Sequence, residues 1–409
     1  MPKKKGNDMI LDGIRVIEWG LYVAAPTASA MLGDLGADVI KIEKKGEGDP
    51  VRGVMSLKGT SLGLPGGRQV MFEHQNRNKR GVAIDLKTAR GREIVYRLVE
   101  KSDVFLTNYR RQKAVDIGLD YTSLKQHNPL IIYGSATGFG HRGPDSEMPV
   151  LDLAGQARSG LMSTCSETDP VAVSSALCDS VTALTLAYGI VAALLARETK
   201  GIGQEVNVSL LGSMTGVQGI PLLVNLMLGQ EYRMQPRTRA KNPLYNWYKC
   251  KDSRWIVLGL AQSGRYWSAF CKALNNPVLE TDSRFQSIAL RERHCRQLVS
   301  ILDKIFATKT SQEWAKILKE ANLISSPVNS IGDLRHDPQM VENKYIIDVD
   351  DYPDQGPVKF TGFPVEFTET PAAFRLCAPE YGQHTEEVLM EVCGYSWKEI
   401  GELREQNVI

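Results

Sequence analysis

Short apolar runs alternate with stretches of helical periodicity through the first two hundred residues. Residues 14–18 form an apolar run that ends at Trp19-Gly20, and residues 39–42 form another. Between them Pro26 stands where a first helical turn tolerates proline. Ala28, Met31, Leu32 and Leu35 then recur at helical spacing up to Gly36. This predicts one strand–helix–strand crossover of about thirty residues. The pattern repeats. Residues 81–86 are strand-like, Thr88 is placed to cap a helix reaching about Lys101, and 104–106 and 129–134 are further strand-like runs. Repeated crossovers predict a Rossmann-like, doubly wound α/β domain: a mostly parallel sheet with helices on both faces.

After Gly212 the texture changes. Residues 213–250 mix apolar runs with a basic stretch from Arg233 to Lys241, which reads as a linker. Residues 251–325 predict a smaller α+β unit, with a strand at 255–260 followed by amphipathic helices. One of these opens with Thr310 and Glu313, a capping box, and Ser396 with Glu399 opens the final helix in the same way. Short strands are expected within 340–370, between clusters of proline, aspartate and glycine. The longest apolar stretch, 181–196, is 16 residues. A bilayer span needs about 20, so a buried helix is expected there and no membrane attachment.

Composition adds boundaries rather than chemistry. The 409 residues exceed one ordinary core and predict two or three domains, while 43% hydrophobic and 23% charged residues exclude wholesale disorder. Lysine plus arginine number 49 against 47 acidic residues. That balance gives no basic surplus with which to expect nucleic acid. Met1-Pro2-Lys3-Lys4-Lys5-Gly6 is basic, but no apolar segment follows to make a secretory signal. The seven cysteines lie at least 13 positions apart, without a CxxC or zinc spacing. Reduced thiols in a cytoplasmic protein without a metal site are expected.

The chain has no phosphate loop, HExxH, GxSxG elbow or EF-hand loop. The first strand–helix turn, 19–26, lacks GxGxxG, so a nicotinamide cofactor is not expected even though Glu43 stands where an acid would hold its ribose. Basic residues flank the strand ends: Lys41, Lys44 and Lys45; Lys79, Arg80 and Lys87; Arg110, Arg111 and Lys113. Spacing alone favours a solvated surface; collected at one sheet edge, they would make a polyphosphate site. Asp179, just ahead of the apolar helix, has two readings as well. It caps the helix, or it is a carboxylate nucleophile kept ionised by the helix N-terminus.

An ordered series of segments resembles the class III CoA-transferases, the formyl-CoA and carnitine-CoA transferase (CaiB/BaiF-like) family, whose superfamily includes α-methylacyl-CoA racemases. The segments are 11–18 (LDGIRVIE), 35–43 (LGADVIKIE), 78–87 (NKRGVAIDLK), 102–109 (SDVFLTNY), Gly138-Phe139-Gly140 with Gly143-Pro144, 201–206 (GIGQEV) and 384–389 (HTEEVL). The resemblance implies that Asp179 is the catalytic aspartate. It would attack an acyl-CoA, possibly succinyl-CoA, to give an anhydride, then an aspartyl-CoA thioester, from which CoA passes to a free carboxylic acid. Coenzyme A is thus substrate, with no prosthetic group. Its contacts would fall on Val23, Ala24, Lys44, Leu86, Lys87, Asn108 and Tyr109. Asp116 stands where relatives carry an arginine, so Arg111 or Lys113 is expected to take that part. No glycine-rich lid is present at 245–265, which argues against oxalate as acceptor.

The same resemblance carries alternatives. Racemases of the superfamily pair the aspartate with a histidine, and Leu151 occupies that position, which disfavours racemisation. A non-catalytic subunit of a heteromeric transferase is a third reading, opposed by the presence of Asp179. The family also implies an interlocked, ring-like homodimer, or a heteromer with a paralogous subunit. Residues 1–220 with 335–409 would form the large CoA-binding domain and 230–330 the small one, joined by linkers at about 213–245 and 326–345. Trp19, Tyr22, Met162 and the apolar 213–230 segment hint at a pocket larger than formate or oxalate needs.

Overall fold

The computed structural model describes residues 9–174 and 176–409. Two compact units are present. The larger contains the described residues up to Met162, then Val171–Glu231 and Gln339–Ile409; the smaller contains Ser163–Pro170 and Tyr232–Pro338.

The larger unit is built on six parallel strands: β1 (Arg15–Trp19), β2 (Asp38–Lys44), β3 (Lys79–Ile84), β4 (Val104–Thr107), β5 (Ile132–Thr137) and β6 (Glu205–Ser209). Their order across the sheet is β3-β2-β1-β4-β5-β6, so the direction of winding reverses between β1 and β4. Val16 lies opposite Val39 on one side and Val104 on the other. Every residue of β4 and β5 is buried, the continuous burial of a sheet covered on both faces. Successive side chains enter opposite cores, because the strand period is two. Val16, Val39 and Leu106 pack towards α1 (Ala24–Asp34), while Ile17, Ile40 and Phe105 pack with α2 (Ala89–Glu100) and the C-terminal helices Thr385–Glu391 and Trp397–Glu405. The expected doubly wound architecture is present.

Local signals account for much of this. Thr88 accepts the Gly91 N–H and caps α2 as expected. Gly91 itself is obligatory: a Cβ there would lie 2.1 Å from the Asp85 carbonyl oxygen. Helix α1 begins at Ala24, two residues before Pro26, whose missing N–H costs nothing in a first turn. The β5–β6 crossover contains α3 (Asp152–Arg158) and the long α4 (Leu177–Lys200), which ends at the left-handed Gly201. Two further helices follow β6: α5 (Leu210–Val217) and α6 (Gly219–Leu228).

One expectation is corrected in its reasoning. The apolar helix is 24 residues long, not 16, and its mean hydropathy of 1.7 would suit a bilayer by length and composition. It packs instead against α1, β5 and β6, as a core helix of the α/β unit.

The smaller unit pairs strands Tyr245–Lys249, Trp255–Gly259 and Ser325–Pro327 antiparallel. Helices Ser263–Ala273, Cys295–Phe306 and Ser311–Glu320 join them around Tyr248, Trp267, Phe270, Phe306 and Trp314. The Thr310–Glu313 capping box is formed, as is that of Ser396 and Glu399.

Candidate active site

The first strand–helix turn rests on buried charges that replace the missing glycines as its scaffold. Glu18, Lys41 and Lys79 have no exposed side-chain surface. The Lys41 ammonium donates to Glu18 (2.8 Å), to Asp49 (3.0 Å) and to the Gly20 carbonyl (3.1 Å). Lys79 donates to Glu18 (2.6 Å), to the Pro26 carbonyl (2.8 Å) and to Asn76 (2.9 Å). Burial pushes the Glu18 carboxyl up, but the two ammonium groups outweigh it and hold the pKa at about 2. The turn is thus clamped by charge on both sides, Gly20 through Lys41 and Pro26 through Lys79.

Asn108, from the end of β4, clamps the same turn across the switch point. Its oxygen accepts from Leu21 N–H at 2.9 Å and its amide donates to the Leu21 carbonyl at 2.7 Å. A Cβ on Gly20 would come within 3.0 Å of Ala25 and 3.1 Å of Glu18. Beside it the Tyr109 ring stacks on Trp19 at 3.9 Å between centroids. Trp19 is therefore packed beneath Tyr109, 4% exposed, and does not line an open pocket as the sequence suggested; Tyr22 stays exposed.

The sequence-predicted CoA residues share one edge of the sheet. Val23 and Ala24 follow β1, Lys44 ends β2, Leu86 and Lys87 follow β3, and Asn108, Tyr109, Arg111 and Lys113 follow β4. These are four neighbouring strands, and their carboxyl ends border the switch point where open α/β sheets take ligands. The basic set divides, however. Lys41 and Lys79 are spent in the core, and Arg80 is tied to Asp38, Glu387 and Glu391. Lys44 pairs with Glu47, and Lys45 donates to Asn407. Among the described residues Lys87, Arg110, Arg111 and Lys113 carry no ion pair and are open to a phosphate. Asp116 accepts from Gln112 on the surface helix Arg111–Asp116.

Asp179 stands in the first turn of α4, at the same end of the sheet, since α4 runs antiparallel to the strands it connects. It does not cap. The N-cap is Ala176, in the left-handed region at φ 50°, with no side-chain cap. The capping oxygen comes from α3. Asp152 Oδ1 accepts the N–H of Cys178 at 2.8 Å and of Asp179 at 3.3 Å, while Asp152 Oδ2 accepts from Gln156 at 2.7 Å. Gln156, 1% exposed, is in turn fixed to both backbone groups of Val173.

The helix end therefore serves Asp152, not Asp179 as the sequence led us to expect. Burial first, and the Asp152 charge second, push its carboxyl up to about 7. The N–H groups that would have stabilised its charge already serve Asp152. The Cys178 thiol, fully buried, is pushed up to about 12, chiefly by burial, and stays neutral. Neither Asp152 nor Gln156 was found from sequence. A carboxylate 27 positions upstream of Asp179 carries no linear signal.

A cleft of about 510 Å³ opens beside α4, lined by Phe139, His141, Arg142, Thr185, Asn207 and Ser213 among others. It lies at the carboxyl ends of β5 and β6. A larger cavity of about 760 Å³ lies between Asp34, Arg77 and the 342–377 segment and contains none of the predicted site residues. Leu151 is two-thirds exposed, and burial lowers the pKa of His141. Among the described residues no cluster of three or more metal-ligating side chains occurs.

Comparison with known proteins gives a consistent result. The family profile "CoA-transferase family III" matches residues 11–385. (R)-2-hydroxy-4-methylpentanoate CoA-transferase of Clostridioides difficile is 33% identical over 407 residues, covering 98% of this chain and 100% of that protein. Mouse succinyl-CoA:glutarate CoA-transferase is 32% identical over 391 residues, covering 94% of this chain and 87% of the relative. Among solved structures, a CAIB/BAIF family protein from Brucella suis superimposes with a TM-score of 0.84 at 28% identity, covering 94% of this chain and all of that one.

Proposed function

The chain belongs to CoA-transferase family III, and from that premise we propose that Asp179 is the nucleophile that carries CoA from an acyl-CoA to a free carboxylic acid. The observation that carries this reading is the half-buried Asp179 carboxyl at the start of α4, raised to a pKa of about 7, on the sheet edge that gathers the CoA-side residues.

The steps close without a net proton. An Asp179 Oδ attacks the thioester carbonyl; a C–O bond forms, the C–S bond breaks, and CoA leaves as thiolate. The thiolate attacks the Asp179 acyl carbon of the anhydride, forming aspartyl-CoA and releasing the donor acid as carboxylate. The acceptor carboxylate then attacks aspartyl-CoA and frees the thiolate once more. A final attack on the acceptor carbonyl yields the new acyl-CoA and returns Asp179. A carboxylate suits this role because its anhydride keeps the group-transfer energy that an ester would lose. A pKa near neutrality suits it too, since the group is basic enough to attack and still ionised in part at pH 7.

In this reading the backbone of Val23 and Ala24 and the side chains of Leu86 and Tyr109 border CoA, while Lys87, Arg111 and Lys113 meet its phosphates, joined by Lys44 once it leaves its exposed pair with Glu47. Asn108 serves by holding the turn. Relatives named for a branched 2-hydroxy acid and for glutarate support an acceptor larger than formate, and the mouse relative's name supports succinyl-CoA as donor. An interlocked homodimer is supported by apolar surface left open on the larger unit. Leu184, Tyr188, Val191 and Leu195 form an exposed stripe on α4, and α6 has no buried residue, with Ile220, Leu226 and Met227 each at least 70% exposed. Native mass spectrometry distinguishes homodimer from monomer. Seven free cysteines are in keeping with a reducing compartment.

The test is mass spectrometry of the protein with succinyl-CoA and hydroxylamine. A hydroxamate at Asp179, with loss of transfer to glutarate in a folded Asp179→Ala variant, is expected. Transfer that survives the substitution overturns the reading.

A further inference from the structure

We propose that Asp152 is a positioning residue for the reaction: by occupying the positive end of α4 with its own carboxylate, it keeps Asp179 a basic nucleophile rather than a stabilised, inert anion. The inference rests on Asp179 being the nucleophile.

The geometry is specific. One oxygen of Asp152 takes the N–H groups of Cys178 and Asp179, and the other is held by Gln156, which is anchored to Val173. The helix end therefore has a resident anion, fixed from another helix, immediately beside the reacting carboxyl. A free helix N-terminus would instead lower the proton affinity of Asp179 and weaken it as a nucleophile. A neutral cap such as serine or asparagine would satisfy the same N–H groups without charge. The use of a carboxylate here places a like charge beside the Asp179 carboxyl, which a neutral cap would avoid.

Among the described residues, the elements packed on α4 bring no other charge beside Asp179. Of the elements packed on α4, α5 contains no titratable residue, and α1 contributes only Asp34, which is ion-paired with Arg77. Tyr133 of β5 is buried, and Glu205 opens β6, level with the far end of α4. On α3, Arg158 is paired with Asp145, and on α4 itself Cys178 is neutral while Arg197, Glu198 and Lys200 lie in the last turn or beside it.

The experiment is the pH dependence of adduct formation at Asp179, with succinyl-CoA as donor and hydroxylamine as trap, in wild type, Asp152→Asn and Asp152→Glu. Asparagine keeps an oxygen for the two N–H groups and removes the charge. Its acid limb is expected to move down by about one pH unit or more, with a lower plateau rate. Glutamate, which restores the charge, is expected to return the limb towards wild type. Superimposed limbs in wild type and Asp152→Asn, with only a lower rate, would make Asp152 a structural cap and overturn the proposal. A check independent of any variant's folding is the wild-type limb, expected near neutrality. A limb near pH 4, that of an ordinary carboxylate, overturns it as well. Adduct formation or transfer surviving Asp179→Asn would instead remove the nucleophile reading itself.

Discussion

Replacing Asp179 by asparagine should stabilise the fold above neutral pH while it abolishes the chemistry. The carboxyl moves from an ordinary 3.8 to about 7 on folding. Between those values the folded chain retains a proton that the unfolded chain has released, so stability falls as pH rises through the window and is lowest above it. At about 1.36 kcal/mol for each pH unit between 3.8 and about 7, the ceiling is about 4 kcal/mol. The side chain is not fully closed to water, and solvent screening takes about half of that, leaving about 2 kcal/mol. Asparagine has the same shape and no charge, and it escapes this cost. Urea unfolding followed by circular dichroism, at one protomer concentration, measures the difference. The variant should exceed wild type by about 2 kcal/mol at pH 8 and by less than about 1 kcal/mol at pH 4. A difference independent of pH would refute the argument, because it would mean that Asp179 enters the folded state with an ordinary proton affinity.

Two further substitutions test the clamp beneath the first turn. Glu18→Gln leaves Lys41 and Lys79 without their shared buried carboxylate and should cost about 3–5 kcal/mol in the same unfolding assay. Asn108→Ala removes both hydrogen bonds to Leu21, worth about 1 kcal/mol each. Its KM for acyl-CoA should rise more than its kcat falls, since in the proposed function the turn borders the bound substrate rather than the reacting atoms.

The larger sheet was legible because each of its signals is local. Apolar runs mark β1 to β5, Thr88 and the two capping boxes mark helix starts, and chain spacing dictates parallel crossovers. Asp179 was singled out through resemblance, since an acidic residue before an apolar helix reads equally well as a cap. The capping partner itself was beyond reach. Asp152 and Asp179 meet only when α3 folds onto the start of α4, and nothing near either residue encodes that approach.

The basic residues divide in the same way. A lysine between Ile40 and Ile42 and another at the start of β3 look like any surface lysine in a charge count, yet Lys41 and Lys79 are entirely buried against Glu18. Periodicity and capping propensity, which depend on neighbours a few residues apart, let the sequence by itself determine the α/β architecture, the units' helices and the kinds of residue at the strand ends. Tertiary structure alone decided which lysines are buried in ion pairs and which stay open, what holds the first turn, and how strongly Asp179 holds its proton. Those properties depend on burial and on charges brought together from distant positions, and desolvation and Coulomb energies exist only once the chain has folded.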